Sequence, residues 1–278
     1  MAYHTHISSE HRLLDLNLGE LWRYRDLVWL LTMRSFVVTY KQTILGPLWL
    51  LLNPLLTSLA CVVLFGNIAR LSTDGAPQLP FYLIGTALWT YFSSCVTANA
   101  TTFVDNANLF GKVWFPRLAV PVSRVLEALV HLGIQLLLVL AVVGWHAAKG
   151  AVSPRWALWP TVPLALLALG ALGMGCGILV SSLTTRYRDL GVLVGFGVTL
   201  WMYVTPVVYP LAGVPGRLRP LILANPASAP IEHVRSTLLG VGGASVAQLA
   251  ASGVASLAVL AAGMVVFTRV ERTFMDTV

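Results

Sequence analysis

Long stretches without Asp, Glu, Lys or Arg alternate with short clusters of charge along this chain. A helix needs about 20 apolar residues to cross the hydrocarbon core of a bilayer. Six stretches reach that length: 44–69, 79–104, 128–148, 156–185, 190–216 and 236–268. The third is expected to begin near Val120, since Arg124 and Glu127 can sit at the interface. The last two exceed one crossing and contain Pro206, Pro210, Gly240, Gly242 and Gly243. The fifth helix is therefore expected to end near Tyr209 and the sixth to start near Val246. Residues 210–245 between them are too apolar for a plain loop, and short helices dipping back into the membrane are predicted there.

Ahead of the first stretch, residues 20–41 read ELWRYRDLVWLLTMRSFVVTYK. Arg23, Asp26, Arg34 and Lys41 recur near helical spacing, with Trp22, Trp29, Met33 and Phe36 between them. That pattern predicts an amphipathic helix lying in the interface, cations toward anionic head groups. Arg23, Arg25, Arg34 and Lys41 read either as an anchor or as a lateral gate that meets a lipid phosphate.

Composition supports a lipid environment. The chain has 278 residues, 57% apolar and 10% charged, whereas a soluble domain carries about a quarter charged residues. The net charge of +7 lies in clusters between apolar runs, as topology determinants do, so nucleic acid is not an expected partner. The side holding both termini receives Lys112, Arg117, Arg124, Arg186, Arg188, Arg269 and Arg272; the other side receives Arg70, Lys149, Arg155, Arg217, Arg219 and Arg235. The richer side is expected to be cytoplasmic. The segments are then a cytoplasmic N-terminal part (1–43), a transmembrane part (44–268) and a cytoplasmic tail (269–278). The N-terminus does not read as a cleavable signal peptide.

Cys61, Cys95 and Cys176 lie inside apolar runs without metal-ligand spacing and read as small core residues. Gly173/Gly177 and Gly191/Gly195 have the spacing of close helix contacts, within the chain or at a dimer seam. Glu127 and His131 are the ionisable groups nearest a span interior, and neither has an evident partner. Asp105 and Asp189 stand in different loops, so no acidic pair for metal-assisted diphosphate chemistry exists locally. No GxxxxGK[ST] loop is present, so the chain is expected to draw on energy from elsewhere and to bind no cofactor itself. Trp89, Tyr91 and Phe92, with Trp201, Tyr203 and Tyr209, put aromatic faces within two spans. These suit either stacking on sugar rings or an interfacial belt.

Five stretches resemble the permeases of polysaccharide-exporting ABC transporters. They are Tyr40-Lys41-Gln42-Thr43-Ile44-Leu45-Gly46-Pro47-Leu48-Trp49, Asn108 to Arg117 (NLFGKVWFPR), Arg186-Tyr187-Arg188-Asp189-Leu190, Asn225-Pro226 with Ile231-Glu232-His233-Val234-Arg235, and Arg269 to Asp276 (RVERTFMD). The resemblance implies an all-α, six-span subunit with an N-terminal interfacial helix, working as a homodimer in the bacterial cytoplasmic membrane. A separate ATPase subunit would hold ATP and Mg²⁺, and a polyprenyl-linked O antigen, capsule or teichoic acid glycan would be the cargo. Lys112, Trp114, Phe115, Pro116 and Arg117 would receive the ATPase stroke, with Arg186, Arg188 and Asp189 as a second contact. Trp114-Phe115-Pro116 would form a knob for a groove on the partner. A membrane-bound glycolipid-modifying enzyme is the alternative, and an uncoupled channel or carrier suffers from the lack of buried charge.

Overall fold

The computed structural model describes residues 18–41, 43–110, 115–184 and 189–274, and among them every regular element is helical. Helix α1 (Leu18–Arg23) leads into α2 (Arg25–Tyr40), and a tight turn at Gly46–Leu48 opens α3 (Trp49–Cys61). α3 runs on into a π-helical turn, Val62–Ile68. After it come α4 (Gln78–Ala100), the short α5 (Thr102–Asp105) and α6 (Ala107–Phe110), and the 30-residue α7 (Ala119–Ala148). α8 (Val162–Thr184) is preceded by a 3₁₀ segment, Trp156–Thr161. α9 (Leu190–Val204), α10 (Arg219–Ala224), α11 (Ser228–Leu239) and α12 (Val246–Phe274) complete the chain.

Four of these stretches are long and apolar enough to span a membrane: Gly46–Ile68, Ala119–Ala148, Trp156–Thr184 and Val246–Val270. The protein is thus a multi-pass membrane protein. Gly46–Ile68 and Trp156–Thr184 follow the charge-free runs, because the first charged residue marks where a helix can leave lipid. α7 starts earlier than position 128, near the expected Val120, carrying Arg124 and Glu127 inside the helix. α9 stops at Val204 rather than near Tyr209, where Pro206 removes an amide donor from the next turn.

α4 differs in kind. It has most of its residues buried and carries Thr86, Thr90, Thr97 and Asn99 on a helix surrounded by α3, α7, α8 and α9. A helix sheltered from lipid can hold polar groups if each finds an acceptor. Here Thr86, Thr90 and Thr97 donate to the carbonyls four residues back at 2.8–2.9 Å, and Asn99 Nδ2 reaches Cys95 O at 2.8 Å.

α8 sits at the centre. In its most apolar stretch 67% of residues are buried, against 22% in the other three spans, and α12, α4, α11, α7 and α9 all pack on it. Its glycines make that possible. A Cβ at Gly177 would stand 2.5 Å from Asn99 Cβ and 2.7 Å from Val96 O of α4. One at Gly175 would stand 2.7 Å from Leu260 N of α12. The Gly173/Gly177 spacing therefore serves packing within the chain. Gly195 of α9, by contrast, faces open space, and Leu193, Phe196, Leu200 and Tyr203 are exposed on the same helix.

Candidate functional site

Three places concentrate polar or aromatic chemistry. The first is at the α2 and α7 N-terminal end. Phe115 is buried, its ring 5.8 Å from Phe110, which in turn lies 6.1 Å from Phe103. Phe103 stacks on Phe267 of α12 at 4.5 Å, and Val28 of α2 joins the same cluster. The Arg117 guanidinium lies 5.6 Å over the Phe110 ring. Phe115 therefore turns into its own subunit and is not part of an outward knob, because the aromatic cluster offers it a drier home than solvent. Pro116 and Arg117 are half-buried, and Asp189 is exposed at the start of α9, where the helix dipole favours a carboxylate. Lys112, Trp114, Arg186 and Arg188 lie outside the described residues.

On the same end, α2 is fastened to α7. Thr32 Oγ1 bonds Val28 O at 2.8 Å and lies 3.3 Å from Ser123 O. Arg124 donates to Ser35 Oγ at 3.0 Å and to Glu127 Oε2 at 3.2 Å. Glu127 thus has a partner three residues earlier on its own helix, which the sequence reading missed. The outer surface of α2 does not divide into one cationic and one apolar face. Arg23, Arg25, Arg34 and Lys41 are all exposed, but so are Trp22, Trp29, Leu30, Val37 and Val38 among them. Arg25 leans on Trp22 at 5.6 Å.

The second place is a cleft of about 430 Å³ between α2, α3, α4 and α7. Tyr40, Asn53, Thr57, Thr90, His131 and Gln135 are among its lining. The His131 ring sits 5.6 Å from Phe36 and 5.7 Å from Tyr40. Tyr91 also borders it; Trp89 and Phe92 are buried in the core, Phe92 meeting Trp201 edge-on at 5.1 Å. Trp201 Nε1 donates to Asn225 Oδ1 at 3.1 Å. Of the six span aromatics only Tyr203 is widely exposed, with Tyr209 half-buried.

The third place centres on Arg235, one of the cations expected on the external side, which is buried rather than solvated. Arg235 of α11 is 1% exposed. It donates to Pro206 O at 2.9 Å, Val207 O at 2.7 Å and Glu232 Oε1 at 2.9 Å. Its guanidinium covers the Phe81 ring at 4.0 Å. Glu232 Oε1 also accepts from Leu211 N at 3.2 Å. Burial pushes the Glu232 carboxyl up and the Arg235 guanidinium down from their usual ranges, and each is restrained by the other's charge. The node ties α11 to the unwound chain after α9 and to the first turns of α4. Beside it, His233 Nε2 and Thr161 Oγ1 share a hydrogen bond of 2.6 Å, and Arg155 N donates to Thr237 O at 2.8 Å.

The profile of the ABC-2 type transporter family matches residues 26–239. The chain belongs to that family. The match opens in α2 and closes on the last residue of α11, so it takes in the α2–α7 contact, the cleft and the Arg235 node, and leaves out α12. This ABC-2 type transporter chain is 32% identical to an O-antigen export system permease protein RfbA of Myxococcus xanthus, over 74% of this chain and 78% of that protein. It is 28% identical to an RfbA of the same description from Klebsiella pneumoniae, over 78% of this chain and 81% of the relative. In this ABC-2 transporter the buried Arg235 node was marked in sequence only by a Glu–Arg pair three residues apart, a spacing that allows one helix to pair them.

Proposed function

We propose that this chain is the permease subunit of an ABC exporter that moves a lipid-linked polysaccharide of the O-antigen class across the bacterial cytoplasmic membrane. The observation that carries the reading is agreement over about three quarters of the chain with permeases named for O-antigen export. This transport reading displaces the glycolipid-modifying enzyme. A separate ATPase subunit binds ATP and Mg²⁺ and docks at the cytoplasmic end, against the loop that includes Lys112 to Arg117 and the one that includes Arg186 to Asp189. In that arrangement Phe115 anchors the first loop, while Arg117 and the residues before Phe115 meet the partner.

The subunit has six spans once α4 and α9 are counted with the four long apolar helices, α4 being polar because it is enclosed. α10 and α11 form the external re-entrant segment, and both termini are cytoplasmic. A second copy packs against the open side that includes α9, whose glycines 195 and 197 have nothing within 4 Å of a Cβ position. Arg23, Arg25, Arg34 and Lys41 meet the lipid diphosphate at head-group depth, and Tyr203 with Tyr209 supplies channel aromatics.

The test pairs genetics with biochemistry. Deleting the gene should remove the glycan from the cell surface, and the wild-type gene should restore it. The purified chain should hydrolyse no ATP alone and do so only with a co-purified P-loop ATPase. Unchanged surface glycan in the deletion strain, or turnover by the isolated chain, would sink the reading.

A further inference from the structure

The cleft between α2, α3, α4 and α7 has no Asp, Glu, Lys or Arg among its lining residues. Its polar groups are hydroxyls, amides and one imidazole. Two of them lack partners. Gln135 lies at the middle of α7 and is 5% exposed, its amide open to the cleft and without a protein hydrogen bond among the described residues. Nε2 of His131, one turn earlier on the same helix, is also buried without a partner. A carboxamide offers two donors and an acceptor oxygen, and leaving it unpaired away from water is costly. At mid-span no bulk solvent reaches it from the bilayer. An amide held there, aimed into a cavity, fits a ligand that supplies both donors and acceptors.

The chemistry of the lining narrows that ligand. A diphosphate would require arginine or lysine within reach, and the cleft has neither. Thr39, Thr43, Thr86 and Thr90 already donate to backbone carbonyls, but a hydrocarbon tail would offer nothing to Gln135 or Asn53. A neutral sugar ring satisfies both, since its hydroxyls donate and accept around the rim. Trp49 and Tyr40 are also among the lining residues, and aromatic rings are suited to the C–H surface of a sugar. The volume of about 430 Å³ falls in the lower part of the roughly 300–1,000 Å³ typical of small-molecule pockets, which suits one or two rings.

The geometry points to this cleft as a binding site, built within one subunit, for an uncharged sugar unit of the transported glycan, held by Gln135 and Asn53. The proposal rests on the export reading above. It divides the cargo: the sugar occupies the cleft while the diphosphate stays outside, near the exposed cations of α2.

Two measurements test it in a strain lacking the native gene. In the first, wild type restores surface glycan, which checks the export reading independently. Gln135→Leu then lowers the export rate about three- to tenfold, as loss of one ordinary hydrogen bond predicts, with unchanged membrane level and melting temperature. Adding Asn53→Leu deepens the loss. In the second, Thr57→Cys is placed in a chain with Cys61, Cys95 and Cys176 changed to Ala that still restores surface glycan. Maleimide labelling in membrane vesicles should be slower from cells making the glycan than from cells blocked in its first glycosyl transfer. Equal labelling in the two, as a resident lipid tail would give, overturns the proposal. So does an unimpaired export rate in Gln135→Leu beside an active wild type. Failure of wild type to export would instead overturn the export reading.

Discussion

Arg235 shows what a single side chain can conceal. Its charge reads from sequence as one more cation on the external side, yet among the described residues it is the largest fully buried side chain. The acceptors that make this tolerable come from Pro206, Val207 and Glu232, and the first two are remote in sequence. No local pattern announces such a convergence. Arg235→Met is expected to destabilise by about 3–5 kcal/mol, because it strands the Glu232 carboxylate without its counter-charge. Combining it with Glu232→Gln should recover part of that loss. Thermal unfolding of the purified chain in detergent reads both, and equal losses for the single and double variants would uncouple the pair. Phe115 makes a similar point. Its place in a motif suggested an outward role, and only the fold brings Phe103, Phe110 and Phe267 around it. The unpartnered Gln135 was equally invisible, since one amide in an apolar run gives no hint of the cavity before it.

At the scale of the helices the sequence was informative, for a physical reason. Bilayer thickness and the penalty for buried charge constrain where spans begin and end, so α3 and α8 with their leading turns follow the uncharged runs within a few residues, while α7 and α12 begin near the expected Val120 and Val246. The neighbours of each helix were not fixed that way. α4 and α9 both come from charge-free runs, yet α4 lies inside the bundle and α9 at its edge. The two glycine pairs looked alike and proved different. Gly177 meets α4 backbone, whereas Gly195 meets nothing. Gly177→Ala is expected to cost about 1–3 kcal/mol as an overpacked contact. Gly195→Ala should leave unfolding of the isolated subunit within about 0.5 kcal/mol of wild type. Matching melting curves for the two variants would remove α8 from its central place.

For the whole molecule the basic residues set an expected orientation. The 149–155 loop and α11 meet at one end, through Arg155 and Thr237, while α2 and Phe115 meet at the other. A reporter placed near Gly150 should therefore register the outside, and reporters near Gly111 and after Val278 the cytoplasm. A cytoplasmic signal at Gly150 would overturn the six-span arrangement.

α7 joins those two ends without interruption. Its 30 residues, at 1.5 Å each, make a helix of about 45 Å, against a hydrocarbon core of about 30 Å. Its one proline, Pro121, is in the first turn, where it breaks no internal hydrogen bond. Mechanically α7 is an unjointed beam. Arg124, Ser123 and the Phe115 segment clamp it at one end, and Lys149 caps the Trp145 ring 4.4 Å away at the other. A beam without a joint cannot absorb a push by bending at its middle. Load applied beside Phe115 is therefore delivered as tilt or translation at the level of Gln135 and beyond, with the span itself as the lever arm.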